Sequence, residues 1–526
     1  MLSLALVAVA IPLIVLANLV RRLFSKASLP PSLPWVGTGP HSGPLGRARA
    51  NLKSFFSLKS MLDEGYYKVF YHCYQLVWYS RNHKAYVLPY FLNGFQVVLP
   101  RSQLDWLLAQ PDSVLNQEEV NRQFLESDYT FPHPSFVKDP VHPEIIRHEL
   151  TKKLNTFSDD VVDEMEQALV DSWGTNTDDW VEVNVYQTLL HIVARLSTRV
   201  FVGLPLCRDA DFLEACQSFN RNVALSAAFL NLLPGFLKPL FAPLVAGADY
   251  LRYKKCSRYI LPTIKERLEI LKNKEKLPSD YIQWAIDHAV QKGGLESREL
   301  ESRVIATRFA ILCFAAIQSS VITLTNAVFD IASSPACADS LDTMRHEVLA
   351  ETSAATATPL WSRAMMTRLT HVDSALRESL RLNGFIERGI MKMVVAPGGL
   401  TLPDGSHVPR GTKVGISGWS VHHDNDIYTE ATTYDAFRFA KGSASSGSGG
   451  KPQALINTSD NFMGFSHGSH ACPGRFFAAN QMKIALGHIA LRYEIEPIPV
   501  RPTNRWFFGH IAPPLGETLR VRRRRS

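Results

Sequence analysis

One stretch of the chain decides the fold: Phe465-Ser466-His467-Gly468-Ser469-His470-Ala471-Cys472-Pro473-Gly474-Arg475. Gly468 and Gly474 are predicted to let the backbone turn tightly around the cysteine, because glycine adopts conformations that other residues avoid. Pro473 suits the first turn of a helix, and the pattern from Arg475 to Ala490 is helical. Cys472 is therefore expected at a helix N-terminus, where the dipole and the free amide groups favour a thiolate.

The chemistry that this loop favours is haem ligation, because a thiolate held in a rigid glycine-rich loop is a good axial ligand of haem iron. Two alternatives remain open at this point. A buried structural cysteine explains neither the paired glycines nor the helix start. A zinc site built from His467, His470 and Cys472 has suitable ligand types, but its spacing matches no common zinc finger and a fourth ligand is not obvious.

The pattern Phe465-x-x-Gly468-x-x-x-Cys472-x-Gly474 resembles the haem-binding signature of the cytochrome P-450 superfamily. The resemblance implies that Cys472 is the proximal ligand of the haem iron and that Phe465, Gly468 and Gly474 help to bind the haem. His470 stands where the signature usually has arginine, and it is expected to face a haem propionate.

Two further motifs follow the order of that family. Glu378-Ser379-Leu380-Arg381 is an ExxR sequence, which places both charged side chains on one helical face. Taken alone, it predicts nothing more than a surface ion pair. Ala436-Phe437-Arg438-Phe439 resembles the PxRF segment of the family, with Ala436 in place of proline. The resemblance implies a structural triad of Glu378, Arg381 and Arg438 behind the haem.

A long helix is predicted from about Ser297 to Ser334, ended by Pro335. By itself, its centre indicates an ordinary buried helix whose hydroxyls bond back to its own carbonyls. The resemblance places Phe314 to Ser320 across the distal face of the haem, with Ala316, Gln318 and Ser319 replacing the family's glycine, acid and threonine. It implies that Ser319 hydrogen-bonds dioxygen and relays protons. Gln318 cannot ionise, so we expect the proton route beside it to use water.

Other site residues are expected only through the resemblance. Arg388, just past the ExxR helix, is expected to bind a haem propionate, and His142 and Arg147 are weaker candidates for the same role. Each of these could instead be a solvated charge. Three residues of the C-terminal loop are expected to line the pocket: Phe507, Phe508 and Ile511.

The expected fold class is mainly α with small β-sheets (α+β), as a single large haem domain behind an N-terminal transmembrane helix. Helical periodicity dominates from about 140 to 385, and short β-like runs follow from 391 to 416. Pro403-Asp404-Gly405 predicts a hairpin turn there. We expect a transmembrane anchor at 1–20, a basic and proline-rich hinge at 21–40, the catalytic domain at 41–519 and an Arg-rich tail at 520–526.

The N-terminus predicts a membrane anchor. Met1 to Val20 is apolar apart from Ser3 and Asn18, and as a helix it would span about 30 Å. Positive charges follow this apolar run instead of preceding it. That order disfavours a cleaved signal peptide and predicts that the rest of the chain lies in the cytosol. We therefore expect a single-pass protein of the endoplasmic reticulum membrane with a cytosolic catalytic domain, and we expect the sequon at Asn457 to stay unmodified.

Charge and cysteine usage exclude two other classes of protein. The 56 basic and 49 acidic residues give a net charge of +7, and the two ends of the chain supply this excess. The body is therefore nearly neutral and offers no broad basic face for nucleic acid. Seven scattered cysteines in a long chain indicate reduced thiols, not a secreted disulfide scaffold.

The function that the resemblance implies is haem-thiolate monooxygenation of a lipophilic substrate. The cofactor would be haem b, dioxygen the oxidant, and NADPH the electron source through a separate NADPH-cytochrome reductase on the same membrane. The distal motif resembles versions found in fungal secondary-metabolite biosynthesis, which suggests a terpenoid-like substrate. The apolar run Leu225 to Ala246 predicts an access lid or two core helices. A haem-thiolate isomerase or dehydratase that needs no reductase, and a non-catalytic haem-binding membrane protein, remain as alternatives.

Overall fold

The structure is a computed structural model. It describes residues 13, 16–18, 20, 29–30, 32–38, 43–67, 70–72, 75–77, 84–91, 94–132, 141–271, 278–354, 361–385, 387–440, 452–507 and 509–525. The predicted anchor 1–20 and hinge 21–40 therefore lie largely outside the described residues, as does the low-complexity run 441–451.

Helices make up most of the described chain, as expected from the sequence. They are α1 Pro44–Tyr67, α2 Leu104–Ala109, α3 Gln117–Leu125, α4 Ser127–Thr130, α5 Val141–Ile145, α6 Ser158–Trp173, α7 Val185–Phe201, α8 Ala210–Leu230, α9 Lys238–Ile270, α10 Tyr281–Gly293, α11 Ser302–Ala332, α12 Cys337–Ser353, α13 Arg363–Arg368, α14 Thr370–Leu382, α15 Gly418–His422 and α16 Arg475–Arg492. A π turn, Ile146–Leu150, continues α5.

The sheets are small, which confirms the expected mainly α fold class. The strands are β1 Phe70–His72, β2 Gln75–Val77, β3 Tyr86–Tyr90, β4 Gly94–Val98, β5 Leu115–Asn116, β6 Val181–Asn184, β7 Arg388–Val394, β8 Leu400–Thr401, β9 His407–Val408, β10 Lys413–Ser417, β11 Tyr493–Ile495, β12 Arg505–Phe507, β13 His510–Ala512 and β14 Thr518–Arg523. A five-stranded sheet has the order β3-β4-β10-β7-β5, and a three-stranded sheet has the order β11-β14-β6. The hairpin predicted at Asp404-Gly405 joins β8 to β9, with Gly405 at φ +83°.

The long central helix is shorter than the sequence predicts. It begins at Ser302 instead of Ser297, because the Ser297 hydroxyl accepts from the Glu299 amide and caps a separate 3-10 turn, Arg298–Leu300. It packs against α7, α9 and α14, and most of its side chains are buried. Within the described residues it is also the one helix long and apolar enough to cross a membrane, and 67% of its most apolar window is buried inside the fold.

The expectation of a separate Arg-rich tail is wrong. Residues 518–523 form strand β14 between β11 and β6, and Leu519 and Val521 alternate inward to the core. Arg520 and Arg522 point the other way, and Arg522 pairs with Glu494 at 2.7 Å. Arg524, just beyond the strand, pairs with Asp342 at 2.9 Å. Residues 518–523 therefore belong to the folded body, because apolar residues alternate with arginines in this basic run.

Candidate active site

A cavity of about 850 Å³ lies between α11 and the loop that leads into α16. Its walls are mostly apolar and come from segments far apart in the chain, including Leu125, Phe131, Ile311, Leu312, Phe314, Ala315, Phe385, Ile390, Met391 and Phe465. Cys472 lies in one wall, and Ser319 of α11 lies in the same cavity. The structure thus brings together the two predicted residues on which oxygen chemistry would depend.

The Cys472 loop is held by its own backbone. The Cys472 amide donates to the Phe465 carbonyl at 2.9 Å, and the Cys472 carbonyl accepts from the Arg475 guanidinium at 2.9 Å. Burial raises the pKa of the thiol, and the amides of Gly474 and Arg475 with the Arg475 charge act against it. The helix start and the Arg475 charge favour a thiolate, as the sequence predicts, but burial is the larger effect and opposes it.

The two signature glycines have different structural roles. Gly468 has φ +76°, a backbone conformation that favours glycine, and a Cβ placed there would lie 2.8 Å from a methyl carbon of Leu108, whose side chain would have to shift. Gly474 caps α16 with φ −86°, and a Cβ there would meet no other protein atom within 4 Å. The prediction that Gly474 is needed for the turn is therefore wrong, and the other left-handed residue of the loop is Ser466 at φ +60°.

Three of the predicted propionate partners are among the residues that line the cavity: Arg147, Arg388 and His470. The Arg388 side chain is only 13% exposed, lies over the ring of Phe124 and has its nearest carboxylate, Glu387, at 4.0 Å. Nε2 of His470 lies 2.9 Å from the carboxylate of Asp112. The side chain of His142, the remaining predicted propionate partner, lies outside the described residues.

The residues present fit a haem group. A cysteine sulfur in an apolar cavity is a suitable ligand for iron, and partly buried cations such as Arg388 suit the two propionates of haem. The zinc alternative is wrong for the described part of the chain, which contains no group of three or more His, Cys, Asp or Glu side chains arranged to hold a metal ion. His467 instead hydrogen-bonds Thr458 at 2.8 Å.

A buried charge triad lies behind the cysteine loop, as the motifs imply. Glu378 accepts from Arg381 at 2.7 and 2.8 Å and from Arg438 at 2.9 Å, and Glu378 and Arg381 are fully buried. Arg381 also donates to the carbonyl of His422, whose ring accepts from the Met463 amide at 2.9 Å. The interpretation of ExxR as a surface ion pair is thereby excluded, and the triad reaches the start of the cysteine loop through His422.

On the distal side, α11 turns Ser319 and Gln318 in different directions. The Ser319 hydroxyl borders the cavity and donates to its own helix at Ala315 O, 3.2 Å away. Gln318 is not among the residues that line the cavity, and its Oε1 accepts from the Tyr186 hydroxyl at 3.1 Å. The structure therefore does not place Gln318 beside Ser319 in the cavity, because neighbouring helix residues are separated by about 100°.

Of the three residues of the C-terminal loop that are expected to line the cavity, the structure describes the side chain of Ile511 alone. Ile511 is 1% exposed and lies outside the set of lining residues, although its amide donates to the carbonyl of the lining residue Phe385 at 3.0 Å. Phe508 and the side chain of Phe507 lie outside the described residues.

Sequence reasoning missed the cavity wall formed by α3, α4 and Phe131. Phe131 makes an edge-to-face contact with Phe314 of α11, with ring centroids 6.1 Å apart. These residues form no recognisable motif, and only the folded arrangement brings them to α11. The same region also contributes polar side chains to the cavity, which are Gln117, Glu118, Asn121, Arg122 and Ser127.

Comparisons with known proteins agree with this geometry. The sequence model of the Cytochrome P-450 family matches residues 115–516. The chain is 32% identical over 503 residues to Cytochrome P-450 monooxygenase 151 of Postia placenta, covering 94% of each protein. It is 30% identical over 513 residues to Cytochrome P-450 monooxygenase polB of Polytolypa hystricis, again covering 94% of each protein. It is also 30% identical over 492 residues to Cytochrome P-450 monooxygenase lnaC of Aspergillus flavus, covering 91% of this chain and 90% of that protein. The chain therefore belongs to the cytochrome P-450 family, as one of its monooxygenases.

Proposed function

We propose that this monooxygenase hydroxylates a lipophilic small molecule, terpenoid-like in character, in fungal secondary metabolism. The observation that carries the proposal is the cavity of about 850 Å³ with its apolar walls above Cys472. Pockets of this size bury most of a small ligand, and their few polar groups fix its orientation. The Phe131–Phe314 pair favours a ring-bearing or branched hydrocarbon against it. The fungal origin of the similar monooxygenases supports the metabolic setting.

Each site residue has a distinct part in this proposal. Haem, when bound, supplies the activation of dioxygen. Cys472 would ligate the iron through its sulfur, and Arg388 and His470 would bind the propionates. Phe465 and Gly468 would shape the loop, and Gly474, which lines the same cavity, would leave room for the haem. The Ser319 hydroxyl, which now donates to Ala315 O, would rotate to donate into the cavity and move a proton at its Oγ. Glu378, Arg381 and Arg438 would hold the loop rigid without contacting substrate.

Electron supply and membrane attachment complete the proposal. Electrons would come from NADPH through a separate NADPH-cytochrome reductase, with the chain anchored by 1–20 in the endoplasmic reticulum membrane. An exposed apolar surface at the α8–α9 turn supports attachment; it consists of Leu225, Phe229, Phe236, Leu240, Leu244 and Leu251. Asn18 donates to Leu232 O at 2.9 Å, so the N-terminal segment approaches this surface. Such a surface also suits entry of a substrate from lipid.

The test is oxidation of candidate substrates by membranes that contain the full chain and a fungal NADPH-cytochrome reductase. A spin-state shift in the Soret region first selects, from a panel of terpenes, steroids, fatty acids and polar amino acids, the molecules that bind. We expect a terpene or similar hydrocarbon to bind and to gain one oxygen atom only with NADPH and dioxygen. Binding restricted to the polar molecules would contradict the proposed substrate class. Product formed without NADPH would instead indicate an isomerase or dehydratase.

A further inference from the structure

Two buried cysteines bring their sulfurs together between the helices α8 and α9. Sγ of Cys216 lies 3.0 Å from Sγ of Cys256, about 1 Å beyond the length of a disulfide bond. The two residues are 2% and 1% exposed, and both cysteines are free. A third buried cysteine, Cys313 of α11, lies close enough to act on the Cys216 thiol. The structure thus places a pair of thiols, with a third beside it, where three helices pack together.

Both thiols of the pair are protonated while this part of the fold is closed. Burial raises the pKa of Cys216, and the hydrogen bond with Cys216 followed by burial raises the pKa of Cys256. A thiol reacts with an oxidant as its thiolate, so the closed pair stays reduced. The hydrogen bond from Cys256 acts in the opposite direction on Cys216 and lowers its pKa. Cys216 is therefore the thiol that ionises first when water reaches the pair.

The pair lies close to the wall of the cavity. Ile311 of α11 lines the cavity and packs in one apolar cluster with Phe219 of α8 and Tyr253 of α9. Phe219 follows Cys216 by three residues. Tyr253 precedes Cys256 by the same interval, so each ring is about one helical turn from a thiol. Dioxygen that takes up two electrons and two protons without oxidising a substrate leaves as hydrogen peroxide, so a monooxygenase cavity is itself a source of a thiol oxidant.

The same two helices form the hairpin that carries the exposed apolar surface at the α8–α9 turn. That surface begins at Leu225, nine residues after Cys216. A ligand reaches a buried cavity only when the elements around it move apart. A covalent link between Cys216 and Cys256 would join the two helices of the hairpin and oppose that movement.

We propose that Cys216 and Cys256 are an oxidation site at which hydrogen peroxide forms a reversible disulfide that restrains the α8–α9 hairpin. Opening of the hairpin admits water and peroxide, and the Cys216 thiol gives its proton to water. The thiolate attacks peroxide, the O–O bond breaks, and a sulfenic acid and hydroxide form. The sulfur of Cys256 then displaces hydroxide from the sulfenic acid and forms the S–S bond.

The reaction balances without another reactant. Each hydroxide takes up the proton of one thiol, so two thiols and one hydrogen peroxide give one disulfide and two waters. The two sulfurs together lose two electrons, and the peroxide gains them. A cytosolic thiol of the glutathione class returns the pair to the reduced state by thiol–disulfide exchange. Such transient disulfides are the kind that occurs in a reducing compartment.

The test adds hydrogen peroxide to the full haem-loaded chain in phospholipid bilayers, without substrate or reductase. Free thiols are counted after unfolding in an alkylating reagent, and linked peptides are identified by mass spectrometry after digestion with trypsin. Trypsin places Cys216, Cys256 and Cys313 in different peptides, because arginine or lysine residues lie between them. Cys337→Ala is the matched control for Cys216→Ala and Cys256→Ala, because the Cys337 sulfur is also buried and its partner is the carbonyl of Ile495.

We expect peroxide to remove two of the seven free thiols and to produce a peptide that joins Cys216 to Cys256. Dithiothreitol should restore both thiols. The same link should form in Cys337→Ala and should be absent from Cys216→Ala and Cys256→Ala. The carbon-monoxide-bound band should keep its position, because Cys472 takes no part in the reaction.

The restraint is measured on the oxidised unmodified chain. Hydrogen–deuterium exchange in α8 and α9 should slow, because a link between the helices opposes their local opening. A phenylimidazole, whose ring nitrogen is a ligand for haem iron, should bind more slowly after oxidation and at the original rate after dithiothreitol. In peroxide-treated Cys216→Ala, both rates should equal those of the same variant before treatment.

Three results would overturn the inference. Seven free thiols after peroxide treatment would show that the pair is not an oxidation site. A peptide that joins Cys216 to Cys313 would assign the wrong partner. Unchanged exchange and binding rates in a chain that carries the Cys216–Cys256 link would show that the disulfide does not restrain the hairpin. Because these measurements use neither substrate nor reductase, they stand apart from the test of the proposed hydroxylation.

Discussion

The buried triad behind the cysteine loop gives the largest stability effect that we predict from one atom replacement. Glu378→Gln replaces one carboxylate oxygen by the NH2 group of an amide. Arg381 and Arg438 then lose the negative charge with which both of them pair. The carboxylate accepts three guanidinium hydrogen bonds of 2.7 to 2.9 Å, and its side chain is fully buried. Removing one partner of a buried ion pair costs about 3–5 kcal/mol, because the remaining charge stays buried and uncompensated.

That loss is large beside the total stability of a typical domain, about 5–15 kcal/mol. The assay is denaturant unfolding of the purified haem-loaded chain, followed by circular dichroism and by loss of the Soret band. The matched control is Glu166→Gln, because Glu166 pairs with Arg492 at 3.0 Å with both side chains about half exposed. Exposed pairs contribute about 0–1 kcal/mol, so this control should unfold almost as the unmodified chain does.

A milder variant keeps the prediction testable if Glu378→Gln does not fold. Arg438→Lys retains the charge but loses the fixed fork of donors, including the bond to Thr429 O at 2.6 Å, and should cost about 1–3 kcal/mol. A Glu378→Gln chain that unfolds within about 1 kcal/mol of the unmodified protein would refute the reasoning. An equal loss of stability in Glu166→Gln would also refute it.

Three further predictions concern the site itself. Burial raises the pKa of Glu387 to about 7. Because Glu387 of the unfolded chain ionises at lower pH, the free energy of unfolding should fall as pH rises from about 4.5 to 7. Glu387→Gln should remove this contribution from unfolding midpoints measured across the range, and an unchanged pH dependence would contradict the raised pKa of Glu387. Gly468→Ala should lower stability by about 1–3 kcal/mol, because Gly468 has a left-handed backbone, whereas Gly474→Ala should leave stability nearly unchanged. Equal shifts of the unfolding midpoint in the two variants would contradict their different backbone conformations. Ser319→Ala should keep the haem spectrum but raise the share of NADPH electrons released as hydrogen peroxide, and unchanged product coupling would exclude a proton-relaying hydroxyl.

The cysteine loop and the ExxR motif were predictable because their chemistry is local in sequence. A cysteine that lies between turn-forming residues and a helical pattern restricts the conformations that the backbone can adopt there. Glu378 and Arg381 lie on the same helical face because of their spacing alone. The prediction that Gly474 is needed for the turn was wrong, because the spacing of the two glycines does not show which of them has a left-handed backbone conformation. Only the fold assigns that conformation to Gly468 and Ser466.

Features that depend on a partner element could not be predicted from the sequence. The basic run at the C-terminus resembled a solvated tail, because five arginines obscured the alternation of Leu519 and Val521 toward the core. The orientation of Gln318 depends on Tyr186, which lies far away in the chain. The wall at Phe131 likewise depends on its contact with Phe314 and has no sequence signature.

The measurement that tests the account most directly is a reduced, carbon-monoxide-bound difference spectrum of membranes that contain the full chain. It is recorded beside Cys472→Ala and beside Cys337→Ala, a matched removal of a cysteine of α12 that does not line the cavity. We predict a red-shifted thiolate Soret band in the unmodified chain and in Cys337→Ala, and its loss in Cys472→Ala. The same band persisting in Cys472→Ala, or no haem absorbance in a folded unmodified chain, would contradict the assignment of Cys472 as the ligand of haem iron.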